Sequence, residues 1–160
     1  MNIRLCWLVG ILFLGVACSK TDDFTDTDEL LIKNHISQQP NQDYTREPNT
    51  GTYYHFQTLG TGRYPSNAQE VEVRYKGTFL DGTVFYTTDT NTIRVALPKA
   101  IAGWRVAMPL VPRGSKVILL IPSRLGYGSE GLISSNPPVN IPANAVLRFE
   151  IELVEIHPHF

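Results

Sequence analysis

Residues 98–108, PKAIAGWRVAM, are the one strongly apolar helix candidate in a chain whose other apolar segments alternate with a period of two. A lone short helix among strands leaves few solutions. The sheet has to curl over the helix to bury it, which makes the domain α+β. Pro98 suits a first helical position, where its missing N–H costs nothing, and Pro109 halts the run. Ile101, Trp104 and Met108 then share one face, while Lys99 and Arg105 turn to water. Trp104 is either plain core or the floor of a pocket.

The strands around it are legible. Val71, Val73, Tyr75 and Phe79 alternate with Glu72, Arg74, Lys76 and Leu80, so one face is buried and the other wet. Asp81-Gly82 makes a tight turn into Thr83-Val84-Phe85-Tyr86, because glycine admits the positive φ such turns need. Residues 53–59 and 92–97 read as further strands, and Gly60-Thr61-Gly62 as a turn. Lys116–Ile121 is an unbroken β-branched and leucine run, suited to a central strand covered on both faces. In residues 146–156, Leu147, Phe149, Ile151 and Leu153 oppose Arg148, Glu150 and Glu152. The sum is about five antiparallel segments around one helix. Residues 123–145, rich in Gly, Ser, Asn and Pro, read as a long functional loop, with Tyr127, between Gly126 and Gly128, either facing a ligand or lying on the surface of the loop.

The N-terminus has a different logic. Arg4 precedes an apolar run over 5–16 that is short for a bilayer span, and Ala17-Cys18 closes it, so residues 1–17 read as a signal peptide. Leu14-Gly15-Val16-Ala17-Cys18 resembles a bacterial lipobox, with Gly15 where leucine is usual, which implies lipidation of Cys18 and a lipid-anchored place in the cell envelope, at the outer membrane, the alternative being a plain cleaved signal. Cys6 leaves with the signal, so no disulfide framework is available. Residues 18–51 then comprise the lipidated cysteine, an acidic tether and a short helix capped by Asp26 or Thr27 and running through Ile36. The folded domain is expected to span 52–160.

Charge and motifs narrow the function. A net charge of −1 with 18% charged residues offers no footprint for nucleic acid. The chain carries no nucleophile elbow, P-loop, His-Glu-x-x-His or Cys-x-x-Cys. His157 and His159 read as a mobile tail, so neither a metal site nor a cofactor is expected. An enzyme built from these residues works by shape and hydrogen bonding.

Six segments in order carry a resemblance: Val71-Glu-Val-Arg-Tyr75-Lys-Gly77, Leu80-Asp-Gly82-Thr-Val-Phe85, Ala100-Ile-Ala-Gly-Trp104, Ile121-Pro-Ser-Arg-Leu-Gly-Tyr127-Gly, Ile141-Pro-Ala-Asn-Ala145 and Leu147-Arg-Phe149-Glu-Ile-Glu-Leu153. Across residues 53–156 the chain resembles the FKBP-type peptidyl-prolyl isomerases. The resemblance implies an antiparallel half-barrel sheet wrapped across one short helix, and isomerisation of X–Pro bonds in exported or envelope polypeptides. It implies an aromatic pocket of Tyr75, Phe85, Trp104 and Phe149, lined further by Ala100, Ile101 and Ile141. The Ile101 N–H would receive one substrate carbonyl and the Tyr127 hydroxyl another. Proline-containing polypeptides are the implied partners, with macrolides as inhibitors and the membrane reached through the lipid.

The chemistry asks for no covalent step. Rotation about X–Pro faces a barrier of about 18–20 kcal/mol, while its two ends differ by only about 0.5–1 kcal/mol. A pocket that desolvates the amide weakens its charge-separated planar form, and walls fitted to the twisted amide add differential binding. Two departures from the family pattern touch the substrate-binding positions: Tyr86 stands where an aspartate is common, and Val95 where a further aromatic is often found. The segment 128–141, with Asn136-Pro137-Pro138, is extended at the pocket mouth. These changes keep open an alternative reading, a membrane-tethered binding or chaperone module with weak or no turnover.

Overall fold

The computed structural model describes residues 23–158, with side chains from Thr27 onward. The expected signal peptide over residues 1–17, Cys18 and His159 lie outside the described residues. In chain order the elements are α1 (Asp23–Ser37), β1 (Thr45–Arg46), β2 (Tyr53–Thr58), β3 (Gln69–Thr78), β4 (Val84–Thr87) and β5 (Ile93–Ala96). Then follow α2 (Ala102–Ala107), β6 (Lys116–Ile121), β7 (Leu132–Ser135), β8 (Pro138–Ile141) and β9 (Leu147–Pro158).

One antiparallel sheet runs β1-β2-β6-β9-β3-β4, with β5 also paired to β3. The expected α+β architecture, an antiparallel sheet over a short helix, is what the chain adopts. The period-two pattern determines its inner face: Val71 and Val73 from β3, Val117, Leu119 and Ile121 from β6, and Leu147, Phe149, Ile151 and Leu153 from β9 are buried together with Trp104 and Ala107 of α2. Strand β6 is covered on its other face too, since Ile118 and Leu120 are buried with Tyr53, Val146 and Ile32 of α1. That second layer gives α1 its packing partner. Burying Ile32, fully enclosed here, is worth about 1.5–3 kcal/mol.

The Asp81-Gly82 turn forms as its chemistry requires. Gly82 adopts φ 88°, and the Asp81 carboxylate accepts the Thr83 N–H at 2.8 Å.

Several expectations are corrected. The helix expected over 98–108 is interrupted: a 3₁₀ turn at Leu97–Lys99 comes first, Ala100 and Ile101 are extended, and α2 proper is followed by a second 3₁₀ turn at Met108–Leu110. Two extended residues make the corner between β5 and α2, a tertiary demand that hydrophobic periodicity does not report. The long loop over 123–145 contains a 3₁₀ turn at Ser123–Leu125 and a β7–β8 hairpin, registered from Leu132 opposite Ile141 to Ser135 opposite Pro138. Pro137 and Pro138 argue against a strand in sequence, but Pro138 is the first residue of β8 in a two-stranded ribbon, where a missing donor is tolerated.

The reading of His157 as a mobile tail also fails. It lies in β9 opposite Glu70, with Nε2 2.9 Å from Glu72 Oε2. Near the N-terminus, residues 23–51 are more than an acidic tether and a short helix. The helix is already formed at Asp23, packs on β6 through Ile32, and β1 joins the sheet, so the folded unit extends beyond 52–160 on its N-terminal side.

Candidate functional site

The site grows out of the β3–β9 pairing. Gly77 on β3 stands opposite Phe149 on β9, and a Cβ at Gly77 would lie 2.4 Å from Phe85 Cε2. A glycine inside this strand is therefore what admits the Phe85 ring beside Phe149. Tyr75, one strand repeat earlier, is braced by buried Thr88: the Tyr75 N–H donates to Thr88 Oγ1 at 3.0 Å, and the Thr88 N–H donates to the Tyr75 carbonyl at 3.0 Å.

From α2, Trp104 completes a lattice of rings. Its centroid lies 5.1 Å from Tyr75 and 5.5 Å from Phe149, at interplanar angles of 77° and 85°. Phe85 meets Phe149 at 5.6 Å and 85°. These edge-to-face contacts are the favoured aromatic geometry and hold the walls rigid.

Two adjoining chambers open on this lattice and share Tyr75, Tyr127 and Phe149. The first, about 230 Å³, is completed by Val95, Lys99, Ala100, Ile101 and Trp104. The second, about 300 Å³, is completed by Phe85, Tyr86 and Ile141 from the sheet side and by Leu132, Ser134, Pro137 and Val139 of the hairpin. All ten pocket residues singled out in sequence thus lie on one of the two chambers. Lys99, expected to point to water, is exposed but lines the first chamber. The hairpin residues were missed because a ribbon of four-residue strands carries too little periodicity to register. The brace at Thr88 left no sequence signal at all.

Ile101 occupies the N-cap of α2 with φ −56° and ψ 153°. Its N–H belongs to the helix-terminal donors that no helical carbonyl takes up. Burial pushes the Tyr75 hydroxyl far above the usual tyrosine range, with the neighbouring Tyr86 and Tyr127 adding to it. Burial likewise raises Tyr127. Both phenols are therefore neutral donors at physiological pH. Trp104 Nε1 is buried without a hydrogen-bond partner among the described residues. Asp89, next along from the site strand, lines a separate groove with Arg74 and Lys76 and neither aromatic chamber. No group of three or more His, Cys, Asp or Glu among the described residues is arranged to hold a metal.

Fold and cleft together define an antiparallel sheet curled over a short helix, with an aromatic pocket between them. The sequence profile of the FKBP-type peptidyl-prolyl cis-trans isomerases matches residues 61–154, and the chain belongs to that family. It is 34% identical over 124 residues to the FKBP-type peptidyl-prolyl cis-trans isomerase FkpA of Aeromonas hydrophila, covering 76% of this chain and 44% of that protein. Against the FKBP-type 22 kDa peptidyl-prolyl cis-trans isomerase of Escherichia coli it is 32% identical, covering 76% of this chain and 58% of the other. The chain thus spans about half the length of these relatives. Among solved structures it is similar to FkpA from Escherichia coli, with TM-score 0.71, 28% identity, and 85% and 62% of the two chains covered. A peptidyl-prolyl cis-trans isomerase from Pseudomonas syringae superposes with TM-score 0.68 at 30% identity, covering 83% of this chain and 96% of the other.

Proposed function

We propose that this chain is a peptidyl-prolyl cis-trans isomerase acting on proline-containing polypeptides of the cell envelope, held at the outer membrane by a lipid on Cys18. The observation that carries the reading is the first chamber, where Trp104, Tyr75 and Phe149 form an aromatic cup beside the open N-cap of α2.

In this reading the prolyl ring sits on Trp104 between Tyr75 and Phe149, and the X–Pro amide is drawn out of water. Loss of solvent polarity weakens the planar resonance form and lowers the rotational barrier. The Ile101 N–H holds one substrate carbonyl and the Tyr127 hydroxyl another, so the amide rotates while its flanks stay fixed. Val95 and Ala100 wall the chamber, and Phe85, Tyr86 and Ile141 extend the surface for flanking residues. Macrolides that mimic the twisted amide compete for the same cup.

Cis/trans exchange of a short X–Pro peptide, followed by NMR, tests the proposal. Acceleration that falls in both Trp104→Ala and Tyr127→Phe supports it. Binding without acceleration would instead favour a tethered holding module, a reading supported by Tyr86 at the acidic position and by the additional chamber under the hairpin.

A further inference from the structure

Asp28 of α1 is the only charged residue buried among the described residues, at 3% exposure. A single carboxylate oxygen, Oδ2, accepts two hydrogen bonds from Ser123: the backbone N–H at 2.8 Å and the hydroxyl at 2.7 Å. Ser123 is itself buried and opens a 3₁₀ turn whose N-cap is Pro122, which has no side-chain acceptor to offer. Asp28 supplies that cap from 95 positions away. The Ser123 carbonyl in turn accepts the N–H groups of Gly126 and Gly128, each at 2.9 Å. Those two glycines bracket Tyr127.

Packing by itself does not account for a carboxylate here. Ile32, one turn further along α1, already docks the helix on β6, and a buried charge is retained only where its hydrogen bonds repay its desolvation. We infer that Asp28 is a positioning residue for Tyr127: it holds Ser123, and Ser123 holds the two-glycine turn that aims the Tyr127 ring at the boundary of the two chambers. This inference rests on the isomerase reading only for the consequence that turnover depends on Tyr127. It makes α1, which lies outside the residues matched by the family profile, a working part of the site.

The test compares Asp28→Ala with Glu29→Ala. Glu29 sits on the same helix but bonds Tyr53, Lys33 and Arg46 instead of the Ser123 turn. In Asp28→Ala, amide hydrogen exchange at Gly126 and Gly128 should rise about tenfold more than at Ile118 and Leu120 of β6, and in Glu29→Ala it should not. Turnover should fall about fivefold in Asp28→Ala, with little further loss when the same change is made in Tyr127→Phe. Exchange that rises uniformly over turn and sheet, or equal losses of turnover in both backgrounds, overturns the inference. If wild type shows no turnover, the isomerase reading fails and the exchange comparison alone decides the role of Asp28. Should Asp28→Ala not fold, Ser123→Ala removes only the hydroxyl bond and carries the same comparison.

Discussion

The Tyr86 ring stacks on Tyr75, centroids 5.2 Å apart and planes 29° apart, so the position where the family resemblance leads one to expect an aspartate instead props up a wall of the cleft. The substitution has two opposed consequences. It removes a charged acceptor from the pocket rim, and it adds an aromatic contact worth about 0.5–1.5 kcal/mol beyond burial.

Tyr86→Asp should therefore lower stability by about 1 kcal/mol and raise affinity for a ligand that brings a donor to the rim. A charge-assisted hydrogen bond of about 1.5–3 kcal/mol corresponds to roughly tenfold or more in Kd. Urea unfolding and macrolide titration read the two effects separately. Unchanged macrolide affinity would sink the idea that the missing acid limits this site.

Trp104→Ala should cost about 3–5 kcal/mol by opening a cavity under the ring lattice. Trp104→Phe should cost less than Trp104→Ala, because it leaves a smaller cavity and the indole Nε1 it deletes has no hydrogen-bond partner among the described residues. Denaturant midpoints compare them. A Phe variant as unstable as the Ala variant would mean that the indole makes a polar contact after all.

Gly77→Ala places a methyl carbon 2.4 Å from Phe85 Cε2 and should displace that ring from the second chamber. Overpacking of this kind costs about 1–3 kcal/mol. The aromatic resonances of Phe85 should shift while those of Tyr44, bonded to Gln42 beside β1, stay in place.

Alkaline pH should destabilise the protein above about pH 10. Tyr75 and Tyr127 are raised by burial, and Tyr53 is pushed up to about 12 by burial and by the hydrogen bond it donates to Glu29. A folded value above the unfolded one means that the native state holds its proton longer, so this stabilisation is complete below the unfolded value near pH 10 and is lost as pH rises through the folded values. Stability measured in urea should be level in this respect up to about pH 9 and fall above 10. Phenylalanine at Tyr53 and Tyr75 should flatten the fall.

Lipidation is open to direct labelling. Labelled palmitate should mark the wild-type protein and not Cys18→Ala, which should leave the membrane fraction. An unmarked wild type would leave only a cleaved signal.

The alternation in β3 and β9 and the apolar run of β6 are written residue by residue in the chain, because period-two burial is a local rule that each strand obeys before it meets its partners. Tyr75 and Phe149 fall on that alternation and Trp104 on a helical face, while their grouping with Phe85 as a pocket rests on the family resemblance. Tertiary structure decided what no local rule encodes. It set the corner at Ala100 and Ile101, the β7–β8 ribbon that walls the second chamber, the His157–Glu72 contact, and the docking of α1 through Ile32. The His157–Glu72 contact and the docking of α1 depend on groups far apart in sequence, and the Asp28–Ser123 bond is the plainest case. A carboxylate on an acidic stretch reads as solvated until the fold encloses it with the one N–H and hydroxyl that make its burial favourable.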